Sequence, residues 1–157
     1  MHEILPFPHA TVSEVLGLLE IIADYNGKIR ISELAEEVGM EIDDLNDVVD
    51  FCELLKFVKV QKGEIILTAT GKKIISYENE DVLKQELKKR LKMIEPFRTA
   101  LKFLQKNKKT TKKKFLEYMS KKFIVSDQRI YARLLLDWLL FSESIDYDID
   151  KDEITLL

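Results

Sequence analysis

The sequence predicts an α+β protein, mainly α with small β-hairpins, built as two tandem modules of one plan. Three observations predict it. Apolar residues recur at spacings of three and four through most of the 157 residues, which is helical periodicity. The chain holds only 5 Gly and 3 Pro, so its loops are short, and a Gly-rich barrel or sandwich is disfavoured. Each half also contains, after its helices, two short strand-like runs around a polar turn. With 46% hydrophobic and 34% charged residues, the chain can bury a core, which excludes disorder over its whole length.

Pro6 and Pro8 bracket an extended N-terminal arm. Thr11 or Ser13 caps the first helix, whose apolar face is Val12, Val15, Leu16, Leu19, Ile22 and Ala23. Asn26-Gly27 stops it, since both residues tolerate positive φ. Ile29 and Ile31 alternate with charges as a short strand. Ser32 caps a second helix with Leu34, Ala35 and Val38 inward, ended by Gly39. Asp43 or Asp44 opens a third, with Leu45, Val48, Val49, Cys52 and Leu55 as its buried stripe. Residues 57–61 form a strand, Lys62-Gly63 turns, and residues 64–67 return. Thr68 caps a short helix through Ile75, with Gly71 placed for a close backbone approach.

A polar joint at residues 77–82 follows. Leu83, Leu87 and Leu91 share a helical face that breaks before Pro96, because proline removes a helix hydrogen bond. Phe97, Ala100, Leu101 and Leu104 form the next face, ended by Asn107. Thr110 or Thr111 caps a helix with Phe115, Met119 and Phe123 inward. Ser126 or Asp127 caps a long helix carrying Tyr131, Leu134, Leu135 and Trp138. Residues 144–148 and 153–157 form the last hairpin. Both halves thus run through helices into a hairpin, the order of a helix-turn-helix with a wing. Two winged-helix-like modules are expected, at residues 1–77 and 78–157, alike in architecture without residue-by-residue identity.

One cysteine, Cys52, excludes an intramolecular disulfide framework and a Cys-based zinc site. The two histidines, His2 and His9, leave little for a His-ligated metal. No apolar run approaches ~18 residues and no signal peptide is evident, so a soluble cytoplasmic protein is expected. Gly71-Lys72-Lys73 matches only the end of a phosphate-binding loop. Ile66 stands at the first Gly position, and Lys73 replaces the metal-reaching hydroxyl. Asp146, Asp148, Asp150 and Asp152 alternate as in a calcium loop. Lys151 and Leu157 occupy the positions where that loop needs Gly and Glu, so an acidic hairpin tip is the reading. No nucleophile–base set assembles, and no catalytic residue, metal ligand or cofactor is expected.

Charge is the informative feature. Residues 1–83 hold 17 acids against 7 bases, residues 84–122 hold 15 bases against 3 acids, and residues 123–157 hold 8 acids against 3 bases. A third helix that reads DNA presents cations and amides to the groove. Asp43, Asp44, Asp47 and Asp50, with Glu41 and Glu53, give the first module's third helix the opposite sign, making it a candidate acidic interaction face. Lys108, Lys109, Lys112, Lys113, Lys114, Arg129 and Arg133 form a candidate anion or nucleic-acid surface in the second. The same lysines suit an anionic membrane surface. The two-module layout is compatible with a homodimer, although no heptad seam argues for one.

Residues 5–21 (LPFPHATVSEVLGLLEI), residues 31–39 (ISELAEEVG) and residues 67–71 (LTATG) together resemble the AAA-associated C-terminal domain. Trp138, Phe141, Glu143, Tyr147 and Asp148 fit the same family's pattern. Leu139-Leu140 departs from its expected Gly-Arg pair, so no role of that Arg carries over. The domain follows the ATPase domain of nitrate/sulfonate/taurine-type ABC transporters and also occurs as free-standing prokaryotic proteins. The resemblance implies a non-catalytic regulatory or protein-interaction module whose partner is a transporter ATPase on a separate chain. The alternative expectation is a nucleic-acid binder or transcriptional regulator using the lysine-rich second module.

Overall fold

The structure is a computed structural model and describes residues 3–4, 10–125 and 127–157. The Pro6–Pro8 arm, His2, His9 and the Ser126 cap lie outside the described residues. Strand β1 (Glu3–Ile4) comes first, and α1 (Val12–Asp24) follows. Thr11 caps α1 through a capping box: its hydroxyl accepts from Glu14 N–H, and Glu14 accepts in return from Thr11 N–H. The buried side is Val15, Leu18, Leu19 and Ile22, so the inward stripe takes in Leu18, while Val12, Leu16 and Ala23 are only half-buried. Asn26 and Gly27 both take positive φ, as the stop requires.

Strand β2 (Lys28–Arg30) runs directly into α2 (Ile31–Val38). Ile31 is therefore helical rather than extended. Ser32 does not cap, because Arg30 holds the N-cap position while still paired with Glu64, which leaves Ser32 inside the first turn. Gly39 ends α2 in the left-handed region. Helix α3 (Ile42–Leu54) starts from Glu41 without a side-chain cap. Asp43 and Asp44 do not open it by capping. They sit in its first turn, where their charge favours the helix dipole. Leu45, Val48, Val49, Phe51 and Cys52 are buried along it.

Strands β3 (Val58–Gln61) and β4 (Glu64–Leu67) form the hairpin, and β4 lies between β2 and β3 in an antiparallel sheet. Thr68 caps α4 (Ala69–Ser76) by accepting from Gly71 N–H, and its own hydroxyl proton goes to the Lys56 and Phe57 carbonyls. Gly71 is demanded by space: a Cβ there would stand 2.1 Å from the Phe57 carbonyl oxygen. Helix α1 packs on α3, α4 and β4.

Helix α5 (Glu80–Leu91) begins inside the polar joint, after Asn79 accepts from Asp81 N–H. A turn through Pro96 separates it from α6 (Phe97–Lys106). Strand β5 (Lys109–Thr111) was not anticipated. It ends at Thr111, which caps α7 (Lys112–Lys122). Phe123 leaves the helix and enters β6 (Phe123–Ile124), which pairs in parallel with β1. Asp127 caps α8 (Gln128–Phe141) by accepting from the N–H groups of Arg129 and Ile130. Strands β7 (Ile145–Asp148) and β8 (Glu153–Leu156) close the chain, with β8 between β5 and β7.

The architecture is α+β, mostly helical, with two small antiparallel sheets and one short parallel pair among the described residues. Residues 8–83 form one compact unit; residues 84–157, with the β1 strand, form another. This division falls six residues beyond the expected module boundary at 77/78, because α5 opens within the joint and its buried Leu87 and Leu91 lie in the second unit. Each unit has its own interior: Leu19, Ile22, Leu34, Leu45 and Phe57 in the first, and Phe97, Phe115, Tyr131 and Trp138 in the second.

Candidate functional site

Helix α8 has two apolar stripes, and they do different things. Tyr131, Leu134, Leu135 and Trp138 face the core, as their spacing predicts. Ala132, Leu136 and Leu140 recur every four residues on an adjoining line and face a groove instead. Leu116 of α7 and Tyr147 of β7 complete its floor. The groove encloses about 400 Å³, and Lys112, Arg129, Arg133 and Asp137 rim it. Ala132, Leu136 and Leu116 are not singled out by the sequence, and Leu140 and Tyr147 stand out there only in the family resemblance, not as parts of a groove. The second stripe on α8 was the available signal, hidden because it shares a helix with the stronger core stripe.

The structure divides the candidate cations. Lys112, Arg129 and Arg133 come together around the groove. Lys113 lines a neighbouring depression with Leu116, Glu117, Ser120 and Lys121. Lys108, Lys109 and Lys114 are exposed on the approach to α7 and in its first turn. Lysines 112–114 place three positive charges at the positive end of the α7 dipole, with no acid in that turn. The helix gains nothing from them through its dipole, and all three are exposed. Lys112 Nζ lies 5.9 Å from the Tyr147 ring centroid, a cation–π contact that positions it at the rim. Tyr147 in turn donates to Asp152 Oδ1 at 2.7 Å, and this bond, with burial and the charges of Asp152 and Asp148, raises the phenol's pKa. Arg133 has only a loose 4.0 Å approach to Asp137, both exposed.

Other cations of the basic stretch hold the fold. Lys84 reaches Glu143 at 3.2 Å and lies over the Phe141 ring. Arg98 Nε donates to Glu95 at 2.9 Å, and Thr99 donates to the same carboxylate from its hydroxyl and backbone N–H. Burial pushes the Glu95 pKa up, but the Thr99 and Arg98 hydrogen bonds outweigh it and hold the group below its ordinary value. Burial and the Glu95 charge drive the Tyr131 phenol upward. A second cavity of about 340 Å³ lies here, lined by Glu95, Arg98, Thr99, Lys102, Tyr118 and Lys122.

The candidate acidic face is on α3 of the other unit. Asp43, Asp44 and Asp50 are exposed and Asp47 is half-buried. Among the described residues none of them forms an ion pair. Ile42 and Leu54, 49% and 45% exposed, stand at the two ends of the helix. Among the described residues no group of three or more His, Cys, Asp or Glu could hold a metal ion. Cys52 is fully buried, and desolvation pushes its thiol up to about 12, far from a nucleophile's range. Among the described residues no helix is long and apolar enough to cross a membrane.

No curated protein and no solved structure matched the chain. A family model described as the C-terminal AAA-associated domain matches residues 32–148, which run from the first turn of α2 to the end of β7. That span takes in the acidic helix and every residue of the groove, so the chain belongs to the AAA-associated C-terminal domain family.

Proposed function

We propose that the chain is a non-catalytic regulatory module that works by binding protein, and that its partner is the cytoplasmic ATPase of an ABC-type transporter. We read both units as winged-helix modules: the first runs helix, strand, helix, helix, strand, strand, the second repeats this from α6 with the short β6 inserted between α7 and α8, and in each the last strand is central. The observation that carries the functional reading is the groove between α7 and α8. Its floor is apolar, three cations rim it, and it lies along the helix that reads DNA in nucleic-acid-binding relatives of this plan. An apolar trough with a charged rim fits an amphipathic helix bearing acids, and grooves of this kind are occupied by helices presenting anchors at spacings of three and four. The expected experiment is affinity capture from native lysate with the wild-type chain and with Lys112→Glu/Arg133→Glu. The wild type should recover an ATPase or transporter subunit that the variant loses. Recovery of neither by the wild type overturns the partner assignment.

Nucleic-acid binding is the second reading, favoured by Lys112, Arg129 and Arg133 sharing one face. Phosphate contacts of that kind are salt-sensitive, and few of them hold at physiological ionic strength. Fluorescence anisotropy with a random duplex should show binding at low salt that vanishes at roughly 0.15 M. Binding that survives there, and that Arg129→Glu/Arg133→Glu abolishes, transfers the function to nucleic acid.

A further inference from the structure

We infer that the groove of one copy is occupied by helix α3 of a second copy, so that the chain associates with itself until a partner displaces it. The inference rests on reading the groove as a helix-docking site and names what fills it at rest. Three observations support it. First, neither surface has its charge satisfied by a close ion pair of its own. Among the described residues the α3 carboxylates form no ion pair, while the rim cations have only the 4.0 Å approach of Arg133 to Asp137. Second, the lengths match. Ile42 to Leu54 spans about 18 Å of helix, and the groove side of α8 from Arg129 to Leu140 about 17 Å.

Third, the spacing matches. On α3, Asp43, Asp47, Asp50 and Leu54 lie on one face at intervals of four, three and four. On α8, Arg129, Arg133, Leu136 and Leu140 line the groove at the same intervals. Laid parallel, the two helices set Asp43 against Arg129, Asp47 against Arg133, and the exposed Leu54 against Leu140, itself 38% exposed. Asp50 falls level with Leu136, the one position of the four without a complement. The antiparallel direction is worse, since it keeps only Asp50 against Arg133, sets Leu54 against Arg129 and loses the leucine pair. One helix face is smaller than the roughly 1,200–2,000 Å² of stable complexes, so the association is weak, and salt weakens it further.

The test is sedimentation of the full chain from micromolar to millimolar concentration, at low and at physiological salt. The wild type should rise above the monomer mass with concentration, and less so in salt. Arg129→Glu/Arg133→Glu alone should stay monomeric, because its groove and its α3 are both acidic. Asp43→Lys/Asp47→Lys alone should stay monomeric for the opposite reason. An equimolar mixture of the two variants should associate, since every groove then meets an oppositely charged helix. Circular dichroism checks that both variants are folded. Asp43→Asn/Asp47→Asn, which disturbs the helix dipole less, should lower the association at least threefold. A wild type that is monomeric throughout overturns the inference. So does a mixture of folded variants that stays monomeric. Either failure leaves the ATPase capture above standing or falling on its own result.

Discussion

Residues 8–83 and residues 84–157 share a sheet order and, apart from α4, α5 and the inserted β6, an element order, yet α3 and α8, the helices that precede their hairpins, carry opposite exposed charge. Helix α3 shows Asp43, Asp44, Asp50 and Glu53 to solvent, whereas α8 shows Arg129, Arg133 and a single acid, Asp137. What the two helices have in common is buried: Leu45, Val48, Val49 and Cys52 in one, and Tyr131, Leu134, Leu135 and Trp138 in the other. Burial of those stripes removes apolar surface from water and sets the fold. The outward residues cost little whichever sign they take. The plan therefore does not dictate the charge of the outward face. It leaves the outward faces free to differ, and in this chain they carry opposite charge.

The sharpest way to break the comparison is to destroy one unit and watch the other. Trp138 is the largest fully buried side chain of the second unit. Trp138→Ala should cost about 3–5 kcal/mol through lost burial and the cavity left behind. In the first unit, Gly71→Ala should cost about 3 kcal/mol or more, because the Phe57 carbonyl that blocks the new methyl is backbone and cannot swing aside. Cys52, the chain's single cysteine, reports on residues 8–83 alone. Thiol labelling should accelerate strongly in Gly71→Ala and stay at the wild-type rate in Trp138→Ala. Equal acceleration in both would show that the two units open as one, and the comparison between them would lose its energetic meaning.

Alkaline titration separates the units more gently. The Cys52 thiol is raised from 9.0 to about 12 by burial, so the folded state holds its proton where the unfolded chain has lost it. The unfolded state then binds fewer protons, and stability falls as pH rises through that window, by up to about 1.4 kcal/mol per pH unit. Below pH 9 the contribution is constant. Cys52→Ala should flatten the alkaline loss for residues 8–83 while leaving that of residues 84–157 unchanged, as read by amide exchange in each unit. An unaltered slope would mean that other groups dominate the alkaline limb.

Much of the fold was legible because its signals are local. The stripes of α3, α6 and α8, the Thr11, Thr68, Thr111 and Asp127 caps, and the turns at Asn26-Gly27 and Lys62-Gly63 each occupy a few adjacent residues. Strand β5 was missed because its three residues, Lys109–Thr111, owe their extended state to pairing with β8, some forty residues on. Strands β1 and β6 were missed for the same reason, with the partners still farther apart. The groove was only half legible. Its cations stand out in composition, but its floor is made by Leu116, Leu136 and Tyr147 from three elements, and no sequence window contains them together.

The smallest effect tests how the two third helices begin, and it bears on why their charges differ. Helix α8 has no acid in its first turn and carries Arg129 there, against the dipole. Asp127 offsets this twice, by accepting from two orphan N–H groups and by placing a negative charge at the positive end. Helix α3 starts from Glu41 with no side-chain bond, but Asp43 and Asp44 in its first turn already satisfy the dipole. Asp127→Ala should therefore cost about 1 kcal/mol, a drop of about 4–8 °C in the midpoint for a unit of this size. Glu41→Ala should move it by less than about 0.5 kcal/mol, as surface changes without a specific role do. Asp127→Asn keeps the acceptor and removes the charge, so it divides the two contributions, and an intermediate loss is expected. If Glu41→Ala costs as much as Asp127→Ala, the acids of α3 are not serving its dipole. Their presence would then be explained by what they bind alone.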